Sequence, residues 1–123
     1  MTLDEALDRV ALLKPHPFDR AVMADFVTEL DGRLCAEMLR EHPGLCADAL
    51  RYDPAADGGK VLLVPAPYDG IYLYWLFGKI DGLNGEFDRA NNDALLFNEM
   101  WQALAAYLNR IDPPGRKERI RLM

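Results

Sequence analysis

The side chains able to do chemistry gather in only one place. Four carboxylates, Asp81, Glu86, Asp88 and Asp93, fall within a short stretch. Converging carboxylates hold a hard cation or divide acid–base work between them. No D-x-D-x-D-G loop and no E-x-x-H pair accompanies these four, so they read as a solvated, subunit-facing or lumen-facing charge set. The two histidines, His16 and His42, each sit beside prolines at a helix end and have no second ligand at a recognisable spacing. Both read as loop or cap residues. Cys35 and Cys46 lack the C-x-x-C spacing and read as two reduced thiols in a cytosolic protein. Glycine-rich phosphate loops, nucleophile elbows and dinucleotide fingerprints are missing. The expectation is a chain without catalytic activity, cofactor or metal.

The elements that would position these groups are helical. Thr2 and Glu5 form the T-x-x-E capping pattern, which starts a helix with Leu3, Leu7 and Val10 on one face. Lys14-Pro15-His16-Pro17 ends it, since a residue before proline avoids helical geometry. A second helix is expected from about Asp19 to Glu41. Phe18, Val22, Phe26, Leu30, Leu34 and Met38 form its apolar stripe, widened by Val27 and Cys35, with Arg20, Asp25, Arg33, Glu37 and Arg40 opposite. Gly32 inside it points to close helix contact or a slight bend. Residues 43–66 are irregular, and the runs flanking Asp53–Gly59 allow a short β-hairpin across 49–64.

A third helix follows Pro65-Ala66-Pro67, with Pro67 in its first turn. Ile71, Tyr72, Leu73, Tyr74, Trp75, Leu76 and Phe77 make it apolar around most of its circumference. Such a helix is either central or covered by a neighbouring subunit. Asn84-Gly85 breaks the chain direction. A fourth helix from about Glu86 to Asn109 carries a three–four seam of Phe87, Ala90, Ala94, Phe97, Trp101, Leu104 and Leu108. Tyr68, Tyr72, Tyr74, Trp75 and Trp101 read first as core. The surplus that a four-helix core cannot bury, Tyr72, Tyr74, Trp75, Phe77 and Trp101, supplies the candidates for a subunit interface.

At 123 residues, half of them hydrophobic, the chain makes one domain with a modest core and is too apolar to be disordered. No uncharged run approaches the length of a bilayer crossing, and no secretory signal is visible. Of the net charge of −6, residues 112–123 contribute Arg116, Lys117, Arg119 and Arg121 against Asp112 and Glu118. The body therefore carries −8, a poor grip for nucleic acid. The fold class expected is all-α: a four-helix domain over 1–111 and a basic C-terminal tail over 112–123, released by Pro113-Pro114-Gly115.

The stretch Leu63-Val64-Pro65-Ala66-Pro67-Tyr68-Asp69, with Tyr72, Lys79-Ile80-Asp81, Asn84-Gly85-Glu86-Phe87-Asp88-Arg89, Asn91-Asn92, Leu96-Phe97-Asn98 and Tyr107-Leu108-Asn109-Arg110, resembles small structural proteins of prophages in Gram-positive bacteria. These are similar to the head–tail connector (adaptor, or head-completion) proteins of long-tailed phages. The resemblance extends more weakly to Glu29-Leu30-Asp31-Gly32. It implies a helical protomer that forms a ring with copies of itself beneath the portal protein and offers a surface to the next neck or tail-terminator protein. DNA passes such a ring without sequence-specific binding, no membrane is involved, and the protein sits in the virion neck after assembly in the host cytoplasm. The resemblance also implies a tail that reaches the portal, here Arg116, Lys117, Arg119, Ile120, Arg121, Leu122 and Met123. This chain departs from the pattern by running on past Asn109-Arg110. The alternative expectation is a non-catalytic cytosolic helical module that binds a partner through Tyr74, Trp75 and Trp101.

Overall fold

The computed structural model describes residues 1–39, 46 and 50–111. Four α-helices carry the fold: α1 (Leu3–Leu13), α2 (Arg20–Glu37), α3 (Ile71–Leu83) and α4 (Phe87–Ile111), with a 3₁₀ turn at Tyr68–Gly70 leading into α3. Among the described residues there is no strand, so the protein is all-α.

The start of α1 shows how the irregular segment is used. A helix N-terminus leaves its first N–H groups without intrahelical partners. Here Leu3 N donates to Lys60 O (3.0 Å) and Asp4 N to Gly58 O (2.9 Å). Glu5 N donates to Thr2 Oγ1 (3.2 Å), the hydroxyl half of the anticipated cap. Leu62 N adds a bond to Met1 O (3.0 Å), and Thr2 and Val61 form a single antiparallel bridge. The hairpin allowed by the sequence across 49–64 is therefore not made: Val61 pairs with the N-terminus. Tyr52, the other flank, is held by α2, where its N–H donates to Thr28 Oγ1 (3.0 Å).

α3 is the central element. It packs against α1, α2 and α4, and Ile71, Tyr72, Leu76 and Ile80 are buried along it. Much of its apolar circumference is covered within the protomer, while Leu73, Tyr74, Trp75 and Phe77 remain half-buried. α2 buries Met23, Ala24, Val27, Leu30, Asp31 and Leu34, which differs from the stripe read from the sequence. Val22 is exposed and Phe26 only half-buried. The reason is geometric: a repeat of four overshoots a 3.6-residue turn by about 40° each time, so the line Phe18–Met38 winds about the helix. Gly32 faces open space and makes no close helix contact.

α3 and α4 form a helical hairpin whose turn is built on one glycine. Gly85 has φ +75°. Glu86 N donates to Asp81 O (2.8 Å) and Gly85 N to Gly82 O (3.3 Å). This pair of bonds is the Schellman closure, which places glycine in the left-handed position. α4 then runs 25 residues, about 37 Å at 1.5 Å per residue.

α2 stops at Glu37, short of Glu41. Met38 N and Leu39 N both donate to Leu34 O (2.8 and 3.0 Å), and Leu39 turns into the core. Beyond this turn Cys46 returns to Cys35, and the two form a disulfide with Cα atoms 6.0 Å apart. The expectation of two reduced thiols is corrected: the chain reversal after α2 brings together residues eleven apart in sequence, which spacing alone did not reveal.

Candidate functional site

The most heavily bonded polar group is Asp31, a residue prominent in the sequence only as part of Glu29-Leu30-Asp31-Gly32. It follows Val27 and Leu30 on the buried face of α2 and is itself completely buried. Its Oδ2 accepts from the Tyr52 hydroxyl (2.5 Å) and its Oδ1 from the Tyr72 hydroxyl (2.6 Å). Leu63 N lies 3.5 Å from Oδ2. The Tyr72 hydroxyl in turn accepts from Val64 N (2.9 Å). Burial raises the Asp31 carboxyl above the ordinary aspartate range, against the lowering effect of the tyrosine and Leu63 donors. Burial and the neighbouring Asp31 carboxyl push both tyrosines up as well. A sealed carboxylate served by two phenols clamps the 50–64 segment and α3 onto α2. It meets no solvent. Its sequence signal was a carboxylate at i+4 from Val27 and i+1 from Leu30, within a helical apolar face.

Of the proposed interface aromatics, Tyr72 is corrected: it is wholly buried inside the protomer, and its hydroxyl is fully engaged with Asp31 and Val64, so it presents nothing to a neighbour. Tyr74, Trp75, Phe77 and Trp101 are half-buried. Trp75 Nε1 donates to Phe26 O (2.8 Å), and its ring lies 5.2 Å from Phe97, which stacks at 5.7 Å on Trp101. Cations close this row at both ends. The Lys79 ammonium sits 4.5 Å from the Trp75 centroid and the Arg33 guanidinium 4.5 Å from that of Trp101. A groove of about 220 Å³ beside the row, between α3 and α4, is lined by Tyr74, Trp75, Gly78, Ala90 and Ala94. The row fastens α4 to α3 and α2, while its outer edges remain open.

The carboxylates divide. Asp81 and Asp93 come together at Lys14, the residue that caps the end of α1. Glu86 and Asp88 stay exposed. Lys14 also lies 5.1 Å from the Phe77 ring. His16 accepts from Phe18 N at Nδ1 (3.1 Å) and stacks on Phe18, an ordinary loop histidine. Among the described residues no three His, Cys, Asp or Glu side chains gather to hold a metal ion. No helix among them is long and apolar enough to cross a membrane. Asn91, Asn92 and Asn98 are exposed. His42 and the tail residues Arg116, Lys117, Arg119, Ile120, Arg121, Leu122 and Met123 lie outside the described residues.

α4 is the least buried of the four helices. Only Asp93, Phe97 and Leu104 of its 25 residues are buried. Phe87, Leu95 and Ile111 are 68, 64 and 57% exposed, and Leu83 at the hairpin turn is 58% exposed. No family model matches the chain, and no curated protein or solved structure is similar to it.

Proposed function

We propose that the chain is a non-catalytic head–tail connector of a long-tailed phage or prophage, forming a ring with copies of itself beneath the portal protein. The observation that carries this reading beyond the sequence resemblance is the aromatic row beside the groove between α3 and α4. Tyr74, Trp75, Phe77 and Trp101 are only half-buried within the protomer, an apolar surface suited to a neighbouring subunit. The charge distribution fits the same role. An acidic body of −8 repels duplex phosphate, so DNA slides past it. The basic segment Arg116–Met123 has the charge to engage an acidic portal surface, with Arg contacts strengthened by charge. The half-buried Tyr74, Trp75, Phe77 and Trp101 are the aromatic contribution to the subunit interface.

The test is quantitative mass spectrometry of purified, DNA-filled particles from a strain carrying the gene. The connector reading expects this chain at a fixed, ring-like ratio to the portal protein. It expects that ratio to collapse when Pro113–Met123 is deleted while the helical circular-dichroism spectrum is unchanged. Absence of the intact chain from particles, with abundance in the cell extract, would replace the connector by a cytosolic binding module.

A further inference from the structure

Lys14, Asp81 and Asp93 form a three-membered charge cluster from three helices, and its charges do not balance. Lys14 Nζ pairs with Asp81 Oδ2 and lies 3.7 Å from Asp93 Oδ2. One ammonium thus faces two buried carboxyls, one from α3 and one from α4, that meet at the same Nζ. Asp81 and Asp93 are 3 and 8% exposed, so solvent does little to screen their repulsion. Asp93 Oδ2 is buried and has no hydrogen-bond partner. A buried carboxyl oxygen that lacks a donor and adjoins a second carboxyl is where a proton sits: like charges in contact cannot both stay ionised.

The location gives that proton a mechanical role. Asp93 is the first buried residue of α4, one turn and a half from its start, and α4 joins the bundle chiefly through α3 and the turn before it. We propose that Asp81 and Asp93 hold one proton between them as a latch, that this proton fastens the N-terminal half of α4 to α3, and that its loss loosens α4 while Lys14 retains Asp81.

The charged groups acting on the pair are Lys14 from the end of α1, Asp81 from α3 and, through Asp81, Arg89 from α4. Among the described residues α2 adds none. Burial, then the hydrogen bond that protonated Asp93 donates to Asp81, push Asp93 up to about 6 in spite of Lys14. Burial also opposes ionisation of Asp81, but hydrogen bonds with Asp93 and Lys14 outweigh it and hold Asp81 below 3.8. A raised folded value means that the bound proton stabilises the native state in acid and that the contribution is lost as pH rises from 3.8 through about 6. Asp81 acts in the opposite sense: its contribution is complete above 3.8 and lost as pH falls through its lowered folded value. Between these limits the singly protonated pair is the fastened state. The latch is independent of whether the chain joins a phage neck.

Hydrogen exchange followed by mass spectrometry on the full chain, corrected for the intrinsic pH dependence of exchange, reads the latch directly. Protection of the segment 87–97 is expected to fall by about tenfold between pH 5 and pH 8, while protection of α2 changes little. Asp93→Asn, which keeps the shape and donates a hydrogen bond without a charge, is expected to hold that protection constant. A flat profile in the unaltered chain, or the same fall in Asp93→Asn, overturns the proposal. Should the variant not fold, the carbon-13 carboxyl titration of Asp93 in the unaltered chain decides. A midpoint near 6 supports the latch, and one in the ordinary aspartate range refutes it.

Discussion

Replacing Asp31 by alanine tests whether the buried clamp holds the fold together. The carboxylate accepts from two phenols at 2.5 and 2.6 Å, and its loss leaves both hydroxyls buried without an acceptor. Each orphaned buried group costs about 1–3 kcal/mol. The variant also escapes the burial penalty that raises the Asp31 carboxyl, and the small cavity partly rehydrates the phenols. A net loss of about 3 kcal/mol is expected, a large share of the roughly 5–15 kcal/mol that holds a domain folded. For a chain of this size that lowers Tm by about 12 °C. Urea unfolding followed by far-ultraviolet circular dichroism measures it. Asp31→Asn, which keeps one acceptor oxygen, is expected to lose about half as much. Because the folded value is raised, the native contribution of Asp31 is largest in acid and declines as pH rises above 3.8 through the folded value. The stability gap between the unaltered chain and Asp31→Asn therefore narrows from pH 4 to pH 8. Combining Asp31→Ala with Tyr72→Phe is expected to cost at least about 1 kcal/mol less than the sum of the two, since both remove one bond. A loss below about 1 kcal/mol for Asp31→Ala, or strict additivity with Tyr72→Phe, would sink the clamp.

Two further outcomes follow from the backbone and the crosslink. Gly85→Ala, at φ +75°, is expected to destabilise by about 1 kcal/mol, and Gly32→Ala, which meets open space inside α2, to stabilise by up to about 1 kcal/mol; thermal melts of the two variants should move in opposite directions. Reduction of the Cys35–Cys46 bond, which closes a loop of about a dozen residues, should cost about 3 kcal/mol by the chain-entropy estimate. Urea unfolding with and without dithiothreitol checks this, and a Cys35→Ser variant should be insensitive to the reductant.

The readable parts of the fold were those fixed by local chemistry. Thr2 with Glu5, Lys14-Pro15 and Asn84-Gly85 mark helix ends because caps and breakers act within a few residues. The apolar circumference of α3 likewise required cover from several sides. The stripe of α2 was misread because counting every fourth residue ignores the drift against 3.6 per turn, and that same drift hid Asp31 on the buried face. What escaped altogether needed distant partners. Val61 meets Thr2 instead of the Tyr52 flank because the free N–H groups of α1 compete for the segment 58–62. Cys46 finds Cys35 through a chain reversal. The grouping of Asp81 with Asp93 was half visible as a carboxylate cluster, but Lys14, sixty-seven residues away from Asp81, was not.

Both tryptophans of the chain, Trp75 and Trp101, lie along one seam and lean on the same phenylalanine, each under a different cation. Intrinsic tryptophan emission is therefore a report on one joint, where α4 docks on α3 and, through Trp75 Nε1 and Phe26 O, on α2. Emission and helical signal are two separate gauges. If subunit contact or a change of pH shifts α4 without melting the bundle, the emission moves while the ellipticity stays still, and no added label is needed to see it.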